Sequence, residues 1–276
     1  MPPTLIVFAG FYPAARHTVQ YANNLAQALT GKLVLLHVKR ASLIDPYDHM
    51  GETLRQEELS RETDTAAALY RLADELTTQP TVEVATDLLP IMARDLAARH
   101  RPALFVLSQP DPAQADASVA GACAELLRAG HYPLLVVPPM APADQRPRRV
   151  LIAADREPFT LTHHAQALQQ VLALPGTELI VAHISSGVED DEGCSAALRA
   201  VQVSGLVKGL PVPTLRGYAH DDYAQGVLAA VQDTGADLVV VLARERSYLG
   251  ELFHRSVTAQ LIGRSPVPVL VLPVEA

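Results

Sequence analysis

The side chains of this sequence with the most chemical reach are its histidines, its two cysteines and a group of arginines between residues 244 and 255. His163-His164 and His220-Asp221-Asp222 contain metal-ligand types, but neither has the spaced partners a zinc site requires. The second group falls where a helix is expected to begin, so Asp221 or Asp222 reads as a helix cap. Cys123 and Cys194 lie one in each half, with no Cys-x-x-Cys pair, and are expected as small buried residues. His37 and His183 end two apolar runs and read as packed, hydrogen-bonded histidines. A Gly-x-Ser-x-Gly elbow, a Gly-x-Gly-x-x-Gly fingerprint and a P-loop are all missing from the sequence. Nucleophilic catalysis, a dinucleotide fold and phosphate cradling by a P-loop are therefore not indicated. Arg244, Arg246, His254 and Arg255 gather basic side chains in one segment. These guanidinium groups either clamp an anion bidentately or fill space and pair with Glu245 and Glu251. An Asp at a strand-to-helix turn, Asp155, either contacts a ligand or serves as a turn residue.

The elements that must position these groups are written twice. Thr4–Ala9 (TLIVFA) matches Arg149–Ala154 (RVLIAA), and Lys32–Val38 (KLVLLHV) matches Glu178–Ile184 (ELIVAHI). Ala103–Ser108 (ALFVLS) matches Asp237–Ala243 (DLVVVLA), and Pro133–Pro138 (PLLVVP) matches Pro268–Pro273 (PVLVLP). A repeat of this kind sets the architecture before any single motif does. The runs lack the alternation of a sheet with one wet face and suit strands buried on both sides. Between them lie helical stripes, such as Val19, Ala22, Leu25, Ala26 and Leu29, with Ala165, Leu168, Val171 and Leu172 as the counterpart. Leu59, Ala66, Leu69, Ala73 and Leu76 predict the long helix of the first half, in an insertion running from residue 41 to 81. Val82–Thr86 and Thr214–Tyr218 are expected as further strands. Each half then reads as a doubly wound five-stranded parallel sheet flanked by helices, one over residues 1–140 and one over 148–276. PPMAPADQRPRR, with four prolines, is the linker.

Composition narrows the partners. A net charge of −8 opposes non-specific binding to nucleic acid or anionic lipid. There is no Trp and only 5% of residues are aromatic, which leaves little for a base-stacking platform. No apolar stretch reaches a membrane-spanning length, and the opening Met1-Pro2-Pro3-Thr4 lacks the charged start of a secretory signal. A cytoplasmic protein is expected.

The runs VLIAAD, LIVAHI, VVVLARERSYLGELFHRSVTAQLIGRSPVPVLVLP and, in the first half, LIVFAG, LLHV and PLLVVP are similar to universal stress protein domains. The resemblance implies that family's adenine-nucleotide hydrolase-like fold, with a nucleotide site at the carboxyl ends of the strands. It carries over to Asp155, Ile184, Ser256 and Val257 at matching positions, while Ala243, Arg246 and Arg255 stand where the family has phosphate-loop glycines. In the first half Gly10 replaces the Asp, and Pro110 and Pro112 remove backbone donors from the loop. The expectation is a non-catalytic regulatory protein acting through protein contacts, with no required cofactor. The alternative is a sensor that holds ATP or AMP in the second half. The family's dimerisation through the last strand further implies self-association, or an internal pseudo-dimer between Leu134–Val137 and Val269–Leu272.

Overall fold

All of the shared apolar runs form strands in a computed structural model, which describes residues 1–9, 15–38, 64, 66–85, 89–109, 117–186, 190–244 and 256–275. The first half contributes β1 (Thr4–Phe8), β2 (Lys32–Val38), β3 (Thr81–Ala85), β4 (Ala103–Ser108) and β5 (Leu134–Val137). The second contributes β6 (Arg149–Ala153), β7 (Thr160–Leu161), β8 (Glu178–Ser185), β9 (Thr214–Ala219), β10 (Leu238–Arg244) and β11 (Val269–Glu275). Helices in the first half are α1 (Ala15–Ala28), α2 over 66–75, α3 (Leu89–Arg99) and α4 (Ala117–Gly130). Those in the second are α5 (Gln166–Leu172), α6 (Asp191–Val203), α7 (Tyr223–Thr234) and α8 (Val257–Arg264). Leu59 and most of the 41–81 insertion lie outside the described residues.

Strands with no wet face need cover on both sides, and successive side chains show how it is supplied. Leu5 and Val7 enter one apolar layer with Val19, Leu25, Leu69, Leu168 and Val201. Ile6 and Phe8 enter the other, with Leu96, Leu127, Val227 and Leu261. Helices α1, α2, α5 and α6 thus cover one face, and α3, α4, α7 and α8 the other. Both layers run through the two halves without interruption.

The two five-stranded units read from the sequence join in one sheet, through the pairing of last strands that an internal pseudo-dimer implies. The strand order is β3-β2-β1-β4-β5-β11-β10-β6-β8-β9, with β7 paired to β11. Within each block of five neighbours every pairing is parallel. At the seam β11 runs antiparallel to β5, with Val269 opposite Val136, Leu270 opposite Leu135 and Val271 opposite Leu134. The reason is the edge: β5 and β11 are buried on both faces, and each would otherwise present a row of unpaired N–H and C=O groups. Beyond β5, Leu161 and Thr160 of β7 take the place beside Val274 and Glu275. The linker is fastened as well, since Asn24 Nδ2 donates to the Ala143 carbonyl at 2.6 Å and Ala141 is buried.

Candidate functional site

Strand β6 lies between β10 and β8, and the chain leaves it in opposite directions on its two sides. Open α/β sheets form a crevice at such a switch point, at the carboxyl ends of the strands. Asp155 stands there, two residues past the end of β6. Its Oδ1 accepts from the Glu157 N–H at 3.1 Å, closing a turn on itself.

Arg244, the last residue of β10, fills the same place. Its side chain is 9% exposed. Nη2 donates to Asp155 Oδ1 at 2.6 Å and to the Glu157 carbonyl at 2.8 Å. Nε donates to Asp155 Oδ2 at 3.3 Å, and Nη1 to the Pro158 carbonyl at 3.2 Å. The Glu157 carboxylate lies 3.5 Å from Nε. A buried guanidinium requires partners of this kind, because an unpaired charge away from water is costly. The sequence reading offers Glu245 and Glu251 as partners for the arginines. Those two residues lie outside the described ones; among the described residues Arg244 meets a carboxylate 89 positions upstream. That distance hides the pair from any local pattern; the one signal is a guanidinium closing an otherwise apolar strand.

The other expected site residues are dispersed among structural roles. Ile184 is 8% exposed and packs under α7, where Gly226 gives it room. A Cβ at Gly226 would come within 2.5 Å of Ile184 Cγ2. Ala243 is fully buried beside Pro273 of β11. Ser256 caps α8, its Oγ accepting from the Ala259 N–H at 3.1 Å, and Val257 is the first residue of that helix. Arg246 and Arg255, with His254, fall outside the described residues, as do Gly10, Pro110 and Pro112. In the first half, Thr18 and Ser108 share a buried hydrogen bond of 2.8 Å. Gln109, just beyond β4, donates across the seam to the carbonyls of Ile262 and Ser265 at 3.1 and 3.0 Å.

The crevice has a second polar flank that sequence reasoning missed. Asp190 caps α6 through Oδ1, which accepts from the Gly193 N–H at 2.8 Å. Its Oδ2 meets Arg156 at 3.2 Å and lies 3.7 Å from His183 Nε2. The Gly193 N–H bond, more than any other contact, holds the Asp190 carboxyl below its usual range. His183 is buried and its Nδ1 sits 3.1 Å from the Ala154 carbonyl, the packed role expected of it. Gly193 is required here, since a Cβ would lie 2.1 Å from Asp190 Oδ2 and 2.7 Å from His183 Nε2.

Asp222 and the two cysteines take the structural places expected of them. Asp222 caps α7, accepting from the N–H groups of Ala224 and Gln225 at 2.8 and 3.1 Å. Both cysteines are buried and free, and burial pushes the Cys123 thiol up to about 12. Among the described residues no group of three or more His, Cys, Asp or Glu is placed to hold a metal, and no helix is long and apolar enough to cross a membrane.

A doubly wound parallel sheet with its polar groups at the strand-order switch defines the class of protein, and residues 212–273 match the universal stress protein family. The curated proteins hold no match. Among solved structures, a universal stress protein from Archaeoglobus fulgidus superposes with a TM-score of 0.68 at 16% identity, over 98% of each chain. A functionally unknown protein from Pseudomonas aeruginosa PAO1 gives 0.54 at 15% identity, over 99% of this chain and 92% of that one. The cytoplasmic domain of a prokaryotic cation chloride cotransporter gives 0.56 at 11% identity, over 99% and 96%. At these identities the likeness is one of fold.

Proposed function

We propose that this protein is a non-catalytic, cytoplasmic regulator of universal stress protein type that acts through protein contacts and needs no cofactor. One observation carries the reading. Asp155, the carboxylate that the family resemblance assigns to the nucleotide, is bonded to Arg244, which also binds the two carbonyls of the turn beside it. A ligand entering the crevice in the family manner would have to displace a buried guanidinium held by these bonds. A cotransporter's cytoplasmic domain shares the fold, which fits a module that works without chemistry of its own. The two halves act as the proposed domains, 1–140 and 148–276, paired internally along their last strands.

The test is mass spectrometry of small molecules released from freshly purified protein, together with thermal shifts in millimolar ATP and AMP. The expected result is an empty protein with no shift. A near-stoichiometric adenine nucleotide would overturn the reading and establish the second one, a nucleotide sensor. That second reading draws on Ser256, which still opens a helix whose N-terminal N–H groups favour an anion.

A further inference from the structure

Strand β9 ends the sheet among the described residues, with β8 on one side of it and no strand on the other. Two contacts with β8 show which of its backbone groups face outward. The His220 N–H donates to the Ser185 carbonyl at 2.9 Å, and the Ser185 hydroxyl donates to the Tyr218 carbonyl at 3.4 Å. The N–H and C=O of one residue point to the same side of a strand, and that side alternates along it. Thr214, Arg216 and Tyr218 therefore turn their backbone groups to β8, while Leu215, Gly217 and Ala219 turn theirs away from the sheet. Pro213 is next in the outward series and has no N–H to offer, so it closes the row at its start.

Side chains around this edge are complementary to one another. Tyr218 Oη donates to Asp233 Oδ2 of α7 at 2.7 Å, which places the even-numbered side chains on the α7 face. Gly217 faces α6 instead, where a Cβ would lie 2.7 Å from Cys194 Sγ. Arg216 is the one charged residue of β9; it is exposed and forms no ion pair among the described residues. Exposed apolar groups stand at both ends of the strand, Val212 before it and Tyr223 after it, in the first turn of α7. The opposite edge of the sheet is different. Strand β3 has Glu83 at its centre, engaged by Arg99 and His100, and an antiparallel copy centred there would set like charges opposite each other.

We propose that β9 is the edge on which a second copy of this chain docks, antiparallel about a twofold axis at Gly217, so that two sheets become one. In that register Gly217 faces Gly217 and Leu215 faces Ala219 as hydrogen-bonded pairs, a ladder of about six N–H···O=C bonds made by the outward groups. Arg216 falls directly opposite Tyr218 of the second copy, on the same face, and its guanidinium reaches along that ring to Asp233 of the second copy. Val212 comes beside the start of α7 in the second copy, where Tyr223 stands. Twofold symmetry makes each of these contacts twice. The edge is also selective, because a chance strand without that carboxylate leaves Arg216 unpaired. This join differs from the one the family resemblance implies, since the last strands are already paired within the chain. It gives the regulator argued above one protein contact and does not depend on the Asp155 crevice being empty.

The experiment is sedimentation velocity of the full chain from micromolar to near-millimolar concentration, with amide exchange followed by NMR at both extremes. The expected result is a reversible monomer–dimer equilibrium. The Leu215, Gly217 and Ala219 amides should exchange more slowly at high concentration, while those of Arg216 and Tyr218, already bonded to β8, change little. Arg216→Glu is expected to weaken association by about tenfold or more, and Arg216→Glu combined with Asp233→Arg to restore it. Ala219→Pro, at an exposed position, removes an outward N–H from each copy and should weaken association by about tenfold. A chain that stays monomeric throughout, a dimer whose Leu215, Gly217 and Ala219 amides are unprotected, or a charge-swapped variant that associates no better than Arg216→Glu would overturn the proposal. A monomer would leave the cofactor-free reading standing, whereas a bound nucleotide would remove that reading and leave this edge as it is.

Discussion

Replacing Arg244 with methionine removes the charge and all its donors while keeping most of the volume. Among the described residues the guanidinium makes four hydrogen bonds, two of them to a carboxylate. Bonds to charged groups contribute about 1.5–3 kcal/mol each when measured singly. Here the acceptors regain water in the variant, because Asp155 is already 47% exposed and Glu157 and Pro158 lie at the surface. Methionine also spares the cost of desolvating a charge. The balance is a net loss of about 2 kcal/mol, or about 4–8 °C in Tm for a chain of this size. Urea unfolding of the single variants, Arg244→Met and Asp155→Asn, and of the double variant gives the coupling energy, expected at about 1–2 kcal/mol. That coupling should persist in 0.5 M salt, as the pair is partly buried, unlike exposed pairs such as Arg16–Glu75. Additive single effects, or a loss below about 0.5 kcal/mol for Arg244→Met, would refute the view that this arginine is locked into the crevice.

Three further outcomes follow from the geometry. His164 holds its proton less tightly in the folded chain, at about 4 against an ordinary 6.5, so stability is complete above pH 6.5 and falls as pH drops toward 4. The loss is about 1–2 kcal/mol once solvent screening of a half-exposed ring is allowed for, and His164→Phe should flatten that part of the stability-versus-pH curve. Gly193→Ala forces a methyl group between Asp190 and His183 and is expected to cost about 2–3 kcal/mol in urea unfolding, whereas Ser195→Ala on the same helix serves as the mild control. Asp222→Ala orphans two N–H groups at the start of α7 and should cost about 1 kcal/mol, with faster amide exchange confined to Tyr223–Val227.

The strands were legible because a run such as TLIVF or LVVVL has one physical home, a sheet covered on both faces. The helices followed from stripes at helical spacing, and Leu168, Val171 and Leu172 are indeed the buried face of α5. Strand β7 was not legible, because Thr160 and Leu161 are two residues whose pairing exists only once β11 extends past the end of β5. The merging of the two sheets could be argued from the apolar character of both last strands, but their register at Val136 and Val269 could not. The candidate site was legible in composition and not in connection. Arg244 and Asp155 were both visible as polar groups at strand ends, and nothing within either segment says that one binds the other. Asp190 escaped notice for a related reason, since its partners Arg156 and His183 come from two different strand ends.

The antiparallel join at β5 and β11 has a consequence for symmetry. It points the strand ends of the two halves in opposite directions, so the crevice of one opens at the end of the molecule where the strands of the other begin. A homodimer built the same way would write every substitution into both crevices at once. A single chain is free of that constraint. One half is able to keep an aspartate and bond it to an arginine, while the other replaces the aspartate with Gly10 and introduces Pro110 and Pro112. Two ends of one sheet can then diverge in sequence while sharing a continuous core that neither is able to alter alone.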